Sequence, residues 1–279
     1  MKRILSLGAG VQSSALLLMS CRGELPKLDA AVFADTQWEP AEVYEWMENV
    51  LRPEAEAAGI PIHVVTAGNI RADAVVSEVR ATVDTGKRWA SLPYRTRNQD
   101  GSVGMLRRQC TSEYKIAPLA RRLKLLAGLK PRRRLPTEPV VEKWLGISID
   151  EAHRAKPPRP ADRWLSHRFP LLDMRINRQA CIAWLDRNGF PDAPRSACIG
   201  CPYKSPDEWR HLRDSSPAEW ADAVTFDHAI RNTGGKAGQL FVYRQAVPLD
   251  EADLSTEYDH GQLALFGDWG NECEGMCGV

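Results

Sequence analysis

The sequence predicts an α/β fold in which a mostly parallel sheet lies between two layers of helices. Short apolar runs alternate with segments of helical spacing through the first third of the chain. The glycine turn Gly8-Ala9-Gly10 joins the first apolar run to the first helical segment. A later apolar run, residues 140–149, is typical of a buried strand and follows another helical segment. Strands that alternate with helices form parallel sheets, so we expect a Rossmann-like three-layer fold.

Each element follows from local residue chemistry. Apolar runs predict strands at residues 3–7, 30–34, 62–65 and 140–149. Helical spacing and helix-forming residues predict helices at residues 13–19, 40–51, 70–82, 116–126 and 178–188, the last of which is closed by Gly189. A high density of turn-forming and charged residues predicts loops at residues 89–105 and 155–164.

The composition excludes several classes of protein. The chain has 279 residues, 43% hydrophobic and 26% charged, which suits a globular fold with a sizeable core. It contains no run of about 18 apolar residues, and its first residues lack the apolar segment of a secretory signal. We therefore expect a cytoplasmic protein without a membrane span. The cysteine count is 7, and an odd count without an export signal favours metal or redox chemistry over disulfides.

The charge is unevenly distributed although the net charge is only +1. Residues 107–134 contain 10 Lys and Arg and a single acid, Glu113, whereas residues 245–279 contain 8 acids and no Lys or Arg. We divide the chain into a domain of residues 1–244 and an acidic C-terminal tail of residues 245–279. The basic stretch is either a solvated face or the binding surface of an anionic partner such as tRNA or DNA.

A candidate phosphate site lies at the glycine turn. Glycines let an anion approach the backbone, and the N–H groups and dipole of the following helix attract it. The candidate residues are Ser6, Gly8, Gly10, Gln12, Ser13 and Ser14. No Gly-Lys-Ser/Thr follows, so the turn is not a Walker loop, and it lacks the third glycine of a dinucleotide fingerprint. The alternative is a tight turn with a serine cap.

A candidate metal site is formed by cysteines. The spacing of Cys198 and Cys201 puts two thiolates within reach of one metal, with Gly200 allowing the tight turn. Cys273 and Cys277 in the tail could add a ligand. A zinc site and a set of inert thiols are the alternatives to an iron–sulfur cluster.

Five stretches resemble the phosphoadenosine phosphosulfate (PAPS) reductase branch of the adenine nucleotide alpha hydrolase-like superfamily, the PP-loop ATP pyrophosphatases. They occur in the family's order and together span residues 3–204. They are the phosphate loop Ser6–Ser14, the hydrophobic-Asp-Thr segment Phe33–Thr36, the Cys-x-x-x-x-Lys-x-x-Pro-Leu segment Cys110–Leu119, the Gly-Ile segment Gly146–Arg154 and the cysteine pair in Ala197–Pro202.

The resemblance implies the fold and a set of site residues. Gly8–Gly10, Asp35-Thr36 and Gly146-Ile147 would converge outside the carboxyl ends of the strands. Asp35, Thr36, Gly146 and Ile147 would frame the nucleoside of ATP or adenosine phosphosulfate there, with Mg²⁺ on the phosphates. Lys115 would lie at the same site. Cys110 would join Cys198 and Cys201 on a 4Fe-4S cluster, which either keeps an open iron or takes Cys273 as its fourth ligand. Cys273 or Cys277 could also relay sulfur.

The chain departs from the family pattern at several positions. Gln12 replaces the Asp of the phosphate loop, Gln109 replaces one cysteine of a pair, and Ser148 replaces the Arg after Gly-Ile. The C-terminal Glu-Cys-Gly-Leu-His motif of the reductases is absent. These departures favour chemistry other than sulfonucleotide reduction.

The sequence therefore predicts an ATP-dependent iron–sulfur sulfurtransferase that adenylates tRNA or DNA and replaces oxygen with sulfur. A partner such as a cysteine desulfurase would donate the sulfur. A sulfonucleotide reductase that releases sulfite, and a nucleotide-binding sensor without catalysis, are the alternatives. The oligomeric state stays open, with a homodimer as one alternative.

Overall fold

The computed structural model of the chain describes residues 1–75, 92–98, 101–130, 132–233, 238–256 and 259. Its strands are β1 (Lys2–Leu7), β2 (Ala30–Asp35), β3 (Ile62–Thr66), β4 (Arg95–Arg97), β5 (Val103–Met105), β6 (Val141–Trp144), β7 (Leu165–Arg168) and β8 (Gln239–Phe241). Its α-helices are α1 (Val11–Cys21), α2 (Ala41–Trp46), α3 (Arg52–Ala57), α4 (Ile70–Val75), α5 (Ala117–Leu126), α6 (Pro170–Asp173), α7 (Arg178–Arg187), α8 (Pro206–Ser215) and α9 (Pro217–Ile230). The π-helical turns Met47–Leu51 and Thr111–Ile116 continue into α3 and α5, and Ile149–Arg154 and Leu249–Glu251 are 3-10 helices.

Five of the described strands form an all-parallel sheet in the order β3-β2-β1-β6-β7. The chain adds β2 and β3 on one side of β1, and β6 and β7 on the other side. In open α/β sheets, ligands bind outside the carboxyl ends of the strands at the point where the order reverses. The turns that follow β1 and β6 therefore mark the position expected for a site.

Helices cover both faces of this sheet. Leu5 and Phe33 point to one face and pack in a core with α1 and α7. Ile4 and Val32 point to the other face and pack in a core with α5, as the two-residue alternation of a strand requires. This arrangement confirms the predicted α/β fold of Rossmann-like three-layer build.

A separate core, which we call the second core, lies beside the sheet and its two faces. The short antiparallel sheet β5-β4-β8 packs there with α4, α8 and α9. Trp38, from the turn that follows β2, and Ile70, the first residue of α4, enter the same core. The cap of α8 is a reciprocal pair in which the Ser205 hydroxyl accepts from the Glu208 N–H and the Glu208 carboxylate accepts from the Ser205 N–H. The turns at the carboxyl edge of the parallel sheet are thus held by a second packed unit.

Several predicted elements need correction. Residues 89–105 were expected to form a loop, but β4 and β5 form a hairpin because both β5 and the distant β8 pair with β4. The strand expected at residues 140–149 ends at Trp144, where the chain turns toward α1. The helix expected at residues 70–82 is described as far as Val75. Sequence patterns did not predict β7, α8 or α9.

The described part of the tail packs against the second core. Ala246, Leu249 and Leu254 are buried there. Cys273 and Cys277 lie outside the described residues. Within the part of the chain that the structure describes, no helix combines the length and the apolar character needed to cross a membrane.

Candidate functional site

The glycine turn between β1 and α1 is held by its own serine. The Ser13 hydroxyl accepts from the Gly8 N–H at 3.2 Å and donates to the Gly10 carbonyl at 3.2 Å. Ala9, between the glycines, has φ +59°, a left-handed conformation that costs energy for a residue with a side chain. The Ser14 hydroxyl accepts from the Trp46 indole N–H at 3.0 Å. The two hydroxyls are therefore engaged within the protein, and the donors for an anion would be backbone N–H groups at the start of α1 other than those of Gly8 and Ser14, which already donate to Ser13 and Gly10.

Gly146 brings the turn after β6 against the start of α1. A Cβ at Gly146 would lie 3.0 Å from the Ser13 nitrogen, so only glycine fits without displacement. Gly10 packs equally closely against Ser196, whose nitrogen would lie 3.3 Å from a Cβ at position 10. The predicted convergence of the turns that contain Gly8–Gly10 and Gly146 is present, and both turns are buried.

Gln12 and Arg178 supply hydrogen-bond donors beside this turn. The Gln12 side chain is 1% exposed, and its Oε1 accepts from the Arg178 guanidinium at 3.3 Å. Its Nε2 is buried and has no hydrogen-bond partner among the residues that the structure describes. Neither a side-chain cap nor an acid occupies the first turn of α1. Unpartnered N–H donors, a helix N-terminus and a guanidinium fit a phosphate group.

Asp150 holds the Gly-Ile segment to α7. Its Oδ2 accepts from the Arg178 backbone N–H at 2.6 Å and from the Ser148 hydroxyl at 3.3 Å. Ile147 is fully buried below this turn. The motif residue Asp150 thereby fixes the start of α7, the helix that carries the Arg178 guanidinium. Sequence analysis did not single out Arg178 because the segment that contains it reads only as an amphipathic helix.

Asp35 and Thr36 have different roles at the end of β2. The Asp35 carboxylate accepts from the Gln37 N–H at 2.7 Å and from the Tyr44 hydroxyl at 2.8 Å, so it shapes the turn. Burial, together with this hydrogen bond, raises the pKa of Tyr44. The Thr36 hydroxyl lies 3.2 Å from the Cys198 sulfur and 3.2 Å from a Glu39 carboxylate oxygen.

Glu39 is the centre of a buried polar cluster that sequence analysis missed. Its side chain is fully buried, and its Oε1 lies 3.3 Å from the Lys115 ammonium and 3.7 Å from the Cys198 sulfur. Its Oε2 accepts from the Ser196 hydroxyl at 3.4 Å. A buried carboxylate needs such partners, because an unpaired one is costly. The only sequence signal was an acid between Trp38 and Pro40, in the turn that follows β2.

Three predicted cysteine ligands line one small pocket, which we call the cysteine pocket. Cys110, Cys198 and Cys201 form its sulfur-bearing wall, and Thr36 and Lys115 complete its polar part. These thiols are a donor set that suits zinc or iron. Within the described ranges, however, no three His, Cys, Asp or Glu side chains are gathered in a metal-binding arrangement. The three thiols are chemically suited to a metal, but they have to move closer together to bind one.

Trp38 determines the shape of the turn between Cys198 and Cys201. The Trp38 carbonyl accepts from the Ile199 N–H at 2.9 Å. A Cβ at Gly200 would lie 2.2 Å from the Trp38 ring, so the indole fills the space that a side chain would need. The Trp38 indole N–H donates to Asp222 of α9 at 2.8 Å. The turn predicted to need Gly200 does need it, for a packing reason.

The fold and this site define a class: an α/β protein with a doubly wound parallel sheet, whose glycine turn and cysteine pocket meet at the carboxyl edge of the strands. Comparison with known proteins adds no more specific identity. No family model matches the chain, and no curated protein matches it.

Proposed function

We propose that the chain is an ATP-dependent sulfurtransferase that activates an acceptor oxygen as an adenylate and replaces it with sulfur. The observation that carries the proposal is the link between the two candidate sites. Ser196 packs on Gly10 of the glycine turn, and its hydroxyl donates to Glu39, which contacts Cys198 in the cysteine pocket. A nucleotide on the turn and a sulfur atom in the cysteine pocket would therefore be neighbours.

The nucleotide would bind through donors of α1 and α7. The first N–H groups of α1, the unpartnered Gln12 Nε2 and the Arg178 guanidinium would hold the phosphates. Asp35-Thr36 and Gly146-Ile147 would border the nucleoside. Gln12 brings no negative charge to the loop, so phosphate oxygens and water would hold Mg²⁺. The segment 194–196, which covers the turn, has to move for a phosphate to enter.

The chemistry has two displacement steps. The acceptor oxygen attacks the α-phosphorus of ATP, a P–O bond forms, and pyrophosphate leaves with the electron pair of the broken bond. A sulfide held at the cysteine pocket then attacks the carbon that bears the adenylate, a C–S bond forms, and AMP leaves. The Lys115 ammonium, held by Glu39, stabilises negative charge that develops on the departing phosphate.

Cys110, Cys198 and Cys201 are the residues that would hold an iron–sulfur cluster. Such a group, when bound by three cysteines, supplies an iron that can carry sulfide. Cys273 would either close this coordination or, like Cys277, relay sulfur. Zinc on the same thiolates is the alternative occupant.

The first test measures iron, acid-labile sulfide and zinc in protein purified without oxygen. We expect iron and sulfide in the intact chain and their loss in Cys110→Ala and Cys198→Ala. Cys181→Ala is the matched control, because Cys181 is buried in the core beside α1 and away from the cysteine pocket. If Cys273→Ala retains iron, one iron of the cluster has no protein ligand. If Cys273→Ala loses iron, Cys273 is the fourth ligand of the cluster. Zinc or no metal in the intact chain would overturn the sulfur chemistry.

The second test measures the reaction. We expect AMP and pyrophosphate from ATP in the presence of sulfide and a nucleic-acid acceptor, and sulfur in the recovered acceptor. Sulfite released from adenosine phosphosulfate with thioredoxin would identify a sulfonucleotide reductase instead. Nucleotide binding with neither reaction would identify a sensor.

A further inference from the structure

A large basic cleft lies on the face of the parallel sheet that carries α5. Its volume is about 820 Å³. One wall is the segment 107–123, and the other is the loop 153–162. The floor is formed by β6 and β7, with the buried Trp164 and Leu165. We call this feature the basic cleft.

Cations occur on both walls and on the floor of the basic cleft. They are Arg107, Arg108, Lys143, Arg154, Lys156 and Arg159, whereas the acids that line it are Glu113 and Asp162. Arg154 is paired with Glu151. A shallow neighbouring depression continues along the loop to Arg163. Positive charge that is spread along a channel suits a ligand with several anionic groups in a row.

Lys143 places a cation at the floor of the cleft. The residue is 6% exposed and lines the cleft. Within the described part of the chain, its ammonium makes neither a hydrogen bond nor an ion pair. Burial lowers the pKa of Lys143 to about 8. The Asp162 carboxylate, which lines the same cleft, attracts this ammonium without forming a direct ion pair, and an anion bound in the cleft would stabilise it further.

The basic cleft adjoins the cysteine pocket. Arg108, Thr111 and Tyr203 line both. The Arg108 guanidinium lies 4.9 Å from the centre of the Tyr203 ring, which gives the junction a flat cation–aromatic pair. Such a pair is a surface on which an unpaired base can stack. A strand in the cleft would thus present a base at the cysteine pocket.

We propose that the basic cleft binds an unpaired segment of nucleic acid, with one backbone phosphate on Lys143 and a base at the Arg108–Tyr203 junction. A single strand is favoured over a duplex because Lys143 lies at the floor of a cleft, where the rigid width of a duplex keeps its phosphates away. This inference rests on the proposed function and deepens it, because it names the site of the acceptor.

The test measures binding by fluorescence anisotropy without ATP or metal. The probes are labelled single-stranded RNA and DNA of about 12 nucleotides and a duplex of the same sequence. The variants are Lys143→Met and, as a matched control, Lys27→Met, which removes an exposed lysine outside the cleft. We expect single strands to bind better than the duplex, and Lys143→Met to weaken single-strand binding about tenfold. The slope of log K against log salt should fall by about 0.7, one phosphate contact.

The variant also provides its own folding control. Methionine has a similar volume and removes an unpaired buried charge, so Lys143→Met should unfold at the same temperature as the intact chain or higher. Equal single-strand binding by Lys143→Met and the intact chain would overturn the proposal. Displacement of the strand by inorganic phosphate, at a concentration equal to that of the phosphate groups in the strand, would also overturn the proposal, because it would indicate a site for small anions. Tighter binding of either RNA or DNA supports the proposal and identifies the acceptor.

The outcomes separate this proposal from the proposed function. If the intact chain turns over ATP and contains sulfide but binds no single strand, the basic-cleft proposal alone is overturned. Strand binding that depends on Lys143, without ATP turnover or sulfide, would overturn the sulfurtransferase alone.

Discussion

The buried pair of Glu39 and Lys115 allows a quantitative prediction. Glu39→Gln keeps the shape of the side chain and removes its charge, which leaves the Lys115 ammonium without its counter-charge. The two charged atoms lie 3.3 Å apart, and the side chains are 0% and 12% exposed. At an effective dielectric constant of about 20, their attraction is about 5 kcal/mol. The amide oxygen retains a hydrogen bond worth about 2 kcal/mol. We therefore expect Glu39→Gln to lower the free energy of unfolding by about 3 kcal/mol, the difference between these terms.

A double-mutant cycle separates this pairing from other effects. Lys115→Met alone leaves a buried carboxylate and should also destabilise the chain, whereas Glu39→Gln with Lys115→Met should recover much of the loss because neither charge stays unpaired. Urea unfolding of the four proteins gives the coupling energy, which we expect to be about 3 kcal/mol. Glu56→Gln, on the exposed surface, is the control and should change stability by less than about 0.5 kcal/mol. Additive effects of the two substitutions would refute the reasoning.

Three further predictions follow from packing and burial. Gly200→Ala should destabilise the chain by about 3 kcal/mol or more and reduce soluble yield, because its Cβ would lie 2.2 Å from the Trp38 ring; thermal unfolding measures this. Lys143→Met should be more stable than the intact chain by about 3 kcal/mol at pH 7, because burial lowers the pKa of Lys143 in the folded state to about 8, below its ordinary value of 10.5. Below pH 8, Lys143 is protonated in both the folded and the unfolded chain, and the cost of burying its charge is fully present. Between pH 8 and 10.5, Lys143 keeps its proton only in the unfolded chain. The free energy of unfolding of the intact chain therefore rises with pH over this range. Cys181 should resist iodoacetamide at pH 8 in the folded chain, because burial raises its pKa to about 12, and react once urea unfolds the protein.

Each of these predictions has a contrary outcome. A Gly200→Ala protein with unchanged thermal stability would show that the Trp38 ring can move aside. A stability difference between Lys143→Met and the intact chain that stays constant from pH 7 to pH 10 would show that the ammonium is solvated. The alkylation of Cys181 is followed by mass spectrometry of peptides. Alkylation at the rate of a free thiol would show that the core beside α1 opens readily.

Four strands of the parallel sheet, β1, β2, β3 and β6, could be predicted because they are short apolar runs separated by helices, whereas the fifth, β7, has the polar sequence Leu-Ser-His-Arg and could not. The hairpin of β4 and β5 could not. The two strands of the hairpin have three residues each and are surrounded by Asn98, Gly101 and other turn residues. The strand that pairs with β4 on its other side, β8, lies far along the chain. Pairing of this kind depends on tertiary context more than on local sequence.

The candidate site was predictable in part. The glycine turn and the turn with Gly146 were expected to meet, and they do, because parallel strands place their carboxyl ends at one edge. Glu39 and Lys143 were not identified. A single acid after a strand, or a lysine within one, has no periodicity, and its burial becomes visible only when other segments cover it.

The contact between Trp38 and Gly200 has a consequence for the order of assembly. The indole that shapes the turn of Cys198 and Cys201 is itself held by Asp222 on α9, and Asp222 is also paired with Arg71. The turn therefore takes its final shape only after the chain has been synthesised through α9. During synthesis, the thiols emerge before the scaffold that positions them, so insertion of the proposed metal would be a late event that follows the docking of the C-terminal helices.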